Sequence, residues 1–176
     1  MKLSVREIVV FGMLGAVIFV SKLFFEFMPN VHLIGVFTIA MTLVYRVKAL
    51  IPLYVFVFIT GAFYAFVVGG ILWWVPYLYI WTVLWVATML LPKNMPVWLK
   101  PIVYSVVCAL HGLCYGTLYA PFQAFVFGLD FNKTIAWIIA GLPWDAIHGV
   151  SNFFLGLLIC PLVQIMSMFQ KGIKNH

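Results

Sequence analysis

The stretch of sequence that decides the fold is Gly141-Leu142-Pro143-Trp144-Asp145-Ala146-Ile147-His148-Gly149, which Asn152 follows closely. It lies in a long apolar segment of a chain that is 66% hydrophobic and only 8% charged. On a helix, Asp145, His148 and Asn152 are spaced i, i+3 and i+7 and therefore share one face. An ionisable side chain inside a membrane costs several kcal/mol unless it is paired or faces a cavity. The stretch therefore predicts a membrane helix bundle in which this polar face turns inward, toward a ligand pocket.

The composition of the whole chain supports a multi-pass membrane protein. The 176 residues include only four acidic side chains against ten Lys and Arg, and the mean hydropathy is +1.16. Soluble domains do not have this balance. The basic residues are scattered between apolar runs, which is typical of charges that orient membrane spans and does not indicate nucleic-acid binding. No Ser-, Gly- or charge-rich linker divides the chain, so we expect one integral membrane domain over residues 1–176.

The apolar runs predict an all-α bundle of six transmembrane helices, at roughly 7–27, 31–45, 49–68, 71–91, 101–127 and 143–168. The second run is short, and the distribution of charge decides that it crosses. With six crossings and a cytoplasmic N-terminus, eight of the ten basic residues face the inner side: Lys2, Arg6, Arg46, Lys48, Lys93, Lys100, Lys171 and Lys174. Such an inner excess predicts that both termini are cytoplasmic.

The last span is expected to start near Pro143, because proline suits the first turn of a helix, where its missing N–H costs nothing. Asp145 would then lie at the positive end of the dipole of its own helix. Residues 134–142 could begin that span or form a segment that packs over the outer mouth of the bundle, and a start near Pro143 favours the second arrangement.

Further polar and aromatic side chains follow helical spacing on other spans. His111, Tyr115, Tyr119 and Gln123 recur at i+4 steps on the fifth span. On the fourth, Trp74, Tyr77 and Trp81 could stack on a flat ligand. Asn30 and His32 lie in the first outer loop, where Lys22 and Glu26 are one turn apart and could pair. The candidate ligand-binding residues are Asn30, His32, Trp74, Tyr77, His111, Tyr115, Tyr119, Gln123, Trp144, Asp145, His148 and Asn152.

The first span carries small residues at the spacing that lets a second helix approach closely. Gly12 and Ala16 form a small-x-x-x-small pair, with Gly15 beside them. The partner could be another helix of this chain or a separate subunit.

Taken together, these residues resemble the S component, the substrate-binding membrane subunit, of an energy-coupling factor (ECF) vitamin transporter. The most specific match is the stretch 141–149, which resembles the Gly-Ile-Pro-Phe-Asn-x-x-Lys pattern opening the last helix of riboflavin-type S components. The resemblance places ligand contacts on Asp145 and His148. Asp for Asn and His for Lys argue against riboflavin itself. The nickel and cobalt members have a metal-binding His near the N-terminus, which Met1-Lys2-Leu3-Ser4 lacks, so no metal is expected.

The resemblance also implies partners, a location and a mechanism. An S component has no ATPase and no cofactor of its own; ATP is bound by two cytoplasmic ATPase subunits. These act with a membrane scaffold subunit, which would dock on Gly12, Gly15 and Ala16. The loaded subunit would topple in the bacterial plasma membrane and open its outer pocket inward.

The ligand itself is predicted only as a chemical class. The acids Glu26, Asp130 and Asp145 lie toward the outer half, where no Arg could clamp a phosphate or carboxylate. A flat, neutral or cationic nitrogen heterocycle is therefore expected, such as a vitamin or its precursor.

Two other functions remain open on the sequence. One is a small intramembrane enzyme that uses His111, Asp145 and His148 as acid/base groups. The other is a structural or assembly protein, in which the polar residues only hydrogen-bond one helix to another.

Overall fold

The structure is a computed structural model that describes residues 3–67, 69–70 and 72–174. It is 82% helix, and the described residues contain no strand. Two short 3-10 turns, Arg46–Ala49 and Leu72–Trp74, precede α3 and α4. The α-helices are α1 (Val5–Phe24), α2 (Ile34–Tyr45), α3 (Leu50–Val67), α4 (Tyr77–Met89), α5 (Leu99–Leu113), α6 (Tyr115–Phe127), α7 (Phe131–Gly156) and α8 (Ile159–Lys174).

Length and hydropathy make several of these helical segments suitable for crossing a membrane. Four qualify alone: Val5–Phe24, Ile34–Val67, Leu72–Met89 and Leu99–Phe127. A fifth candidate is the pair α7 and α8, which are bent by 55° relative to each other. The all-helical, membrane-compatible class is therefore confirmed, whereas the count of six spans and the side on which the termini lie stay predictions.

The direction of the first three helices follows from contacts at their ends. Glu7 near the start of α1 pairs with Lys48, just before α3. Lys22 near the end of α1 donates to the Tyr64 hydroxyl near the end of α3, over 2.8 Å. Helices α1 and α3 therefore run side by side in the same direction, and α2 between them runs the opposite way. The chain reverses at Arg46, whose φ of 55° and ψ of −122° lie outside the helical region.

The remaining helices run between the same two ends: α4 runs toward the end that holds Arg46, α5 and α6 run one after the other away from it, and α7 and α8 return to it. The Trp74 indole, before α4, donates to Val57 of α3, and the Arg46 guanidinium donates to the Met89 carbonyl at the end of α4. Gln170 of α8 donates to Val44. We call the end of the bundle that holds Arg46 the basic end. Six of the described basic residues lie at this end or on the elements beside it: Arg6, Arg46, Lys48, Lys93, Lys100 and Lys171. We call the other end of the bundle, which carries loop 25–33, the opposite end.

Helix α2 is the centre of the bundle, and most of its residues are buried. Its threonines meet their hydrogen-bonding needs locally: Thr38 Oγ1 donates to the Ile34 carbonyl over 2.8 Å, and Thr42 Oγ1 donates to Thr38. Such i−4 bonds make a hydroxyl tolerable where no water is present. Large apolar side chains such as Phe66 and Phe125 are exposed on the outside of the bundle, which suits a lipid environment.

Helices α5 and α7 approach each other closely along a line of glycines. A Cβ on Gly112 of α5 would lie 2.9 Å from the His148 carbonyl oxygen of α7. A Cβ on Gly156 of α7 would lie 2.6 Å from Ser105 Cα of α5. Small residues permit this approach, which brings the polar faces of both helices together.

The predicted start of the last helix is wrong. Helix α7 begins at Phe131, so residues 134–142 are part of it and do not form a separate segment over the bundle mouth. The reason is the N-cap at Asp130, whose carboxylate accepts from the Lys133 N–H over 2.9 Å. That bond also lowers the pKa of Asp130. Pro143 is accommodated inside the helix, and the chain bends later, between α7 and α8.

Candidate ligand-binding site

Three histidines meet two aromatic rings in the interior, each carried by a different element. His32 comes from loop 25–33, His111 from α5, His148 from α7, Trp81 from α4 and Tyr115 from α6. The ring centroids of His32 and His148 are 4.7 Å apart, and those of Tyr115 and His148 are 5.0 Å apart. Trp81 lies 5.4 Å from His111 and 5.6 Å from His32. We call these five residues the histidine cluster.

The histidine cluster contains polar atoms that are buried without a hydrogen-bond partner. His148 is 1% exposed, and neither of its ring nitrogens is paired. Three other described atoms of the cluster are also buried without a hydrogen-bond partner: His32 Nδ1, His111 Nδ1 and Trp81 Nε1. The second ring nitrogen of His111, Nε2, lies 3.0 Å from the Ile80 carbonyl oxygen. Each unpaired group costs about 1–3 kcal/mol. Such a concentration is typical of a polar binding site and needs an explanation in function.

A cavity of about 170 Å³ lies next to the histidine cluster, between the cluster and loop 25–33 at the opposite end of the bundle. His32, Tyr115 and His148 form its inner wall, together with Tyr77. Most of the remaining wall comes from loop 25–33: Phe25, Glu26, Met28, Pro29, Asn30 and Val31. The cavity therefore joins the surface loop to the buried histidines.

The mouth of the cavity holds a cation and an anion that neutralise each other. The Lys22 side chain is only 13% exposed, and its Nζ lies 3.6 Å from Glu26 Oε1. The same Nζ sits 4.4 Å from the centroid of the Tyr64 ring, and the Tyr64 hydroxyl donates to Glu26. The predicted pairing of Lys22 with Glu26 is confirmed, but the amine is mostly buried and lines the cavity.

Asn30 fixes the loop onto α7. Its Nδ2 donates to the Trp144 carbonyl over 3.1 Å, and its own carbonyl accepts from Ser151 Oγ over 3.1 Å. Asn30 has a φ of 60°, a conformation that asparagine tolerates better than most residues. Trp144 contributes its backbone here, while its side chain is 53% exposed on the outside of the bundle.

His32 Nδ1 is buried without a hydrogen-bond partner, and such surroundings favour the uncharged form of an imidazole. A neutral imidazole has one donor nitrogen and one acceptor nitrogen. No group of three His, Cys, Asp or Glu within the described ranges is arranged to hold a metal ion.

Asp145 supports the helices and does not line the cavity. Both of its carboxylate oxygens accept from the Gly116 N–H, over 3.0 and 3.1 Å. Gly116 is in the first turn of α6, directly after the break at Cys114 that separates α5 from α6. The expectation that Asp145 lies at the positive end of its own helix is wrong. It lies in the middle of α7 and at the positive end of α6, where a carboxylate is stabilising.

Replacing Asp145 with alanine is expected to destabilise the ligand-free protein by about 0.5–2 kcal/mol, the usual cost of losing a helix N-cap. Asparagine should lose less, because it keeps one acceptor oxygen. Thermal melting of the purified variants in detergent measures both effects. An alanine variant that melts like the wild type would show that this bond does not support the helix break.

The other predicted site residues lie outside the cavity. The Trp74 indole donates to the Val57 carbonyl over 2.6 Å. The Tyr119 hydroxyl donates to Trp73, and Tyr119 with Gln123 borders a separate cavity. Asn152 Nδ2 donates to Cys108 over 3.2 Å, deeper in the bundle. Of the predicted residues, the cavity wall contains Asn30, His32, Tyr77, Tyr115 and His148, with His111 behind them; it does not contain Trp74, Tyr119, Gln123, Trp144, Asp145 or Asn152.

The predicted set lacked Lys22, which lines the cavity, and Trp81, which belongs to the histidine cluster. It also lacked the loop residues of the wall other than Asn30 and His32, namely Phe25, Glu26, Met28, Pro29 and Val31. A signal for Lys22 is present in the sequence, since a lysine within an apolar helix is costly unless it has a partner or a cavity. Trp81 has the right spacing from Tyr77, but spacing alone does not show which ring reaches the centre. Comparison of the chain with family models, with curated proteins and with solved structures finds no match.

Proposed function

We propose that this chain is a membrane-embedded binding protein that captures a small, flat, neutral or cationic nitrogen heterocycle, such as a vitamin or its precursor. It would serve as the substrate-binding subunit of an ECF-type importer. The observation that carries the proposal is His148, whose two ring nitrogens are buried and unpaired at the wall of a cavity. A protein that only needed stability would place an apolar side chain there.

The chemistry of the cavity favours a heterocycle. Neutral imidazoles offer alternating donors and acceptors, which match the ring nitrogens and amino groups of such a ligand. Tyr77 and Tyr115 supply aromatic surface beside them. Since Lys22 and Glu26 pair with each other, the mouth has no excess charge with which to select an anion. The volume of about 170 Å³ is below the range typical of drug-sized ligands, which favours a ligand of one or two rings.

The proposed topology has six crossings with both termini in the cytoplasm. It is supported by the reversal of the chain at Arg46 and by the collection of basic residues at one end of the bundle. The cavity would then open to the outside, as capture of an external nutrient requires. The enzyme alternative receives no support from Asp145, because its carboxylate contacts the Gly116 amide and not a histidine.

A ligand panel tests the proposal. Purified protein would be melted with neutral, cationic and anionic vitamins and precursors. Because a ligand at about 100 times its Kd adds about 2.7 kcal/mol to stability, a true ligand should raise the melting temperature clearly. We expect stabilisation by a neutral or cationic nitrogen heterocycle. Tight binding of an anionic compound alone would contradict the charge argument, and no stabilisation by any compound would contradict the proposal.

The proposed docking surface for the scaffold subunit is the outer face of α1. Gly12 has no neighbouring atom within 4 Å of a Cβ position, and Ala16 is exposed beside Val9 and Val20. Gly15 belongs to the interior, because its Cβ would lie 2.5 Å from Val55 Cγ1 of α3. The proposed contact of this chain with the scaffold, and through it with two ATPases, therefore rests on Gly12 and Ala16.

Replacing Gly12 and Ala16 with leucine is expected to abolish co-purification of a membrane scaffold and two ATPases from native membranes, while ligand binding persists. Gly141→Leu is the matched control, because Gly141 also has open space around it and lies on α7. Mass spectrometry of the purified complexes measures the result. Equal recovery of the partners with all variants would place the docking surface elsewhere.

A further inference from the structure

A cavity of about 640 Å³ lies at the basic end of the bundle, far from the histidine cluster. It is bounded by the end of α2, the loop 90–98 after α4, the start of α5 and the first half of α8. Its wall is largely apolar, with Leu43, Leu91, Val97 and Val163 among its members. The same wall carries three basic side chains, Arg46, Lys93 and Lys100.

The charge of these three side chains is not balanced by any acidic side chain of the protein. The chain has four acidic residues, and the structure describes all of them. Each is engaged elsewhere: Glu7 with Lys48, Glu26 with Lys22, Asp130 with Lys133, and Asp145 with the Gly116 amide. The cavity therefore presents three like charges in a largely apolar setting, which favours binding of an anion.

The backbone of Arg46 gives a second, independent observation. Its φ of 55° and ψ of −122° fall in a region that glycine adopts freely and that strains any residue with a Cβ. The turn itself needs only the backbone, since the Arg46 carbonyl accepts from Trp85 Nε1 over 3.1 Å. The guanidinium makes one long contact, 3.4 Å from Nη2 to the Met89 carbonyl. An arginine at a backbone position better suited to glycine indicates that the guanidinium has a function that offsets the strain.

We propose that this cavity binds an anionic phospholipid, with the phosphate against Arg46, Lys93 and Lys100 and an acyl chain along the apolar wall. A lipid fits better than a free anion, because most of the wall is apolar and would gain nothing from a small hydrophilic ion. The exposed Trp98 and Ile102 beside the cavity are suited to the membrane interface and to lipid tails. Basic pockets between helices on the cytoplasmic side are a known form of lipid headgroup recognition.

The experiment compares lipid retention with stability. Wild-type protein, Arg46→Gly, Lys100→Gln and the control Lys133→Gln would be purified and exposed to vesicles of phosphatidylcholine with or without phosphatidylglycerol. Native mass spectrometry counts bound lipid, and thermal melting reports stability. We expect the wild type and Lys133→Gln to retain one phosphatidylglycerol and to melt higher with it. Arg46→Gly and Lys100→Gln should retain about 10-fold less.

Arg46→Gly makes the test specific. Since glycine removes the backbone strain, this variant should melt as high as the wild type or higher in phosphatidylcholine alone, while it loses the response to phosphatidylglycerol. Equal retention of phosphatidylglycerol by all variants would overturn the proposal. The proposal would also be overturned if inorganic phosphate raised the melting temperature of the wild type as much as phosphatidylglycerol does. The site would then recognise a free anion and not a lipid.

Discussion

Replacing His148 with leucine is expected to raise the stability of the ligand-free protein and to weaken ligand binding about 10- to 100-fold. His148 is buried with both ring nitrogens unpaired, so the wild type bears the cost of two desolvated polar atoms. Leucine removes both atoms without leaving a partner unpaired, which should stabilise the fold by about 1–3 kcal/mol. The ligand loses its hydrogen bonds to the imidazole, which is the source of the lower affinity.

Melting curves without ligand measure the first effect, and titration with the compound found in the panel measures the second. His148→Gln serves as the conservative variant, because its amide keeps one donor and one acceptor group and should preserve part of the affinity. A leucine variant that is less stable than the wild type and binds equally well would show that His148 is a structural residue.

Replacing Gly112 with alanine is expected to destabilise the protein by about 1–3 kcal/mol, and leucine at this position should prevent folding. A Cβ there would lie 2.9 Å from the His148 carbonyl oxygen and 3.0 Å from the Gly149 nitrogen. These are backbone atoms, so α5 and α7 would have to separate. Because α5 and α7 also carry His111 and His148, which both contact Tyr115, ligand binding should weaken together with stability.

Gly141 provides the matched control for this experiment. It lies on α7, and a Cβ there meets no atom within 4 Å. Alanine is the better helix former by about 1 kcal/mol, so Gly141→Ala should leave stability unchanged or raise it. Expression level and melting temperature in detergent measure the pair. If Gly112→Ala and Gly141→Ala melt at the same temperature, close packing of α5 on α7 does not limit stability.

The helical, membrane-compatible fold could be predicted because composition and periodicity are properties of each segment by itself. The polar face of Asp145, His148 and Asn152 was also predictable, and all three are buried on α7. What each side chain contacts was not predictable, because the partners come from distant parts of the chain. The Asp145 carboxylate accepts a hydrogen bond from the Gly116 amide, which is free because the helix breaks between α5 and α6. The sequence around Asp145 carries no information about that break.

The start of α7 shows how two local signals can compete. Pro143 suits a first turn, but Asp130 offers a side-chain cap directly before an uninterrupted helical segment, and the cap determines the start.

The cavity wall was predictable only in part for a different reason. Loop 25–33 supplies most of it, and the place of a loop depends on bonds such as that of Asn30 to the Trp144 carbonyl.

The central claim is that the buried histidines bind a small molecule, and the identity of what co-purifies tests it most directly. Wild-type protein and His148→Leu would be purified in mild detergent from cells grown in rich medium, denatured, and analysed by absorbance and mass spectrometry. We expect one small nitrogen heterocycle, near equimolar with the wild type and strongly reduced in His148→Leu. The same compound at equal amounts in both proteins, or no such compound in either, would contradict the account.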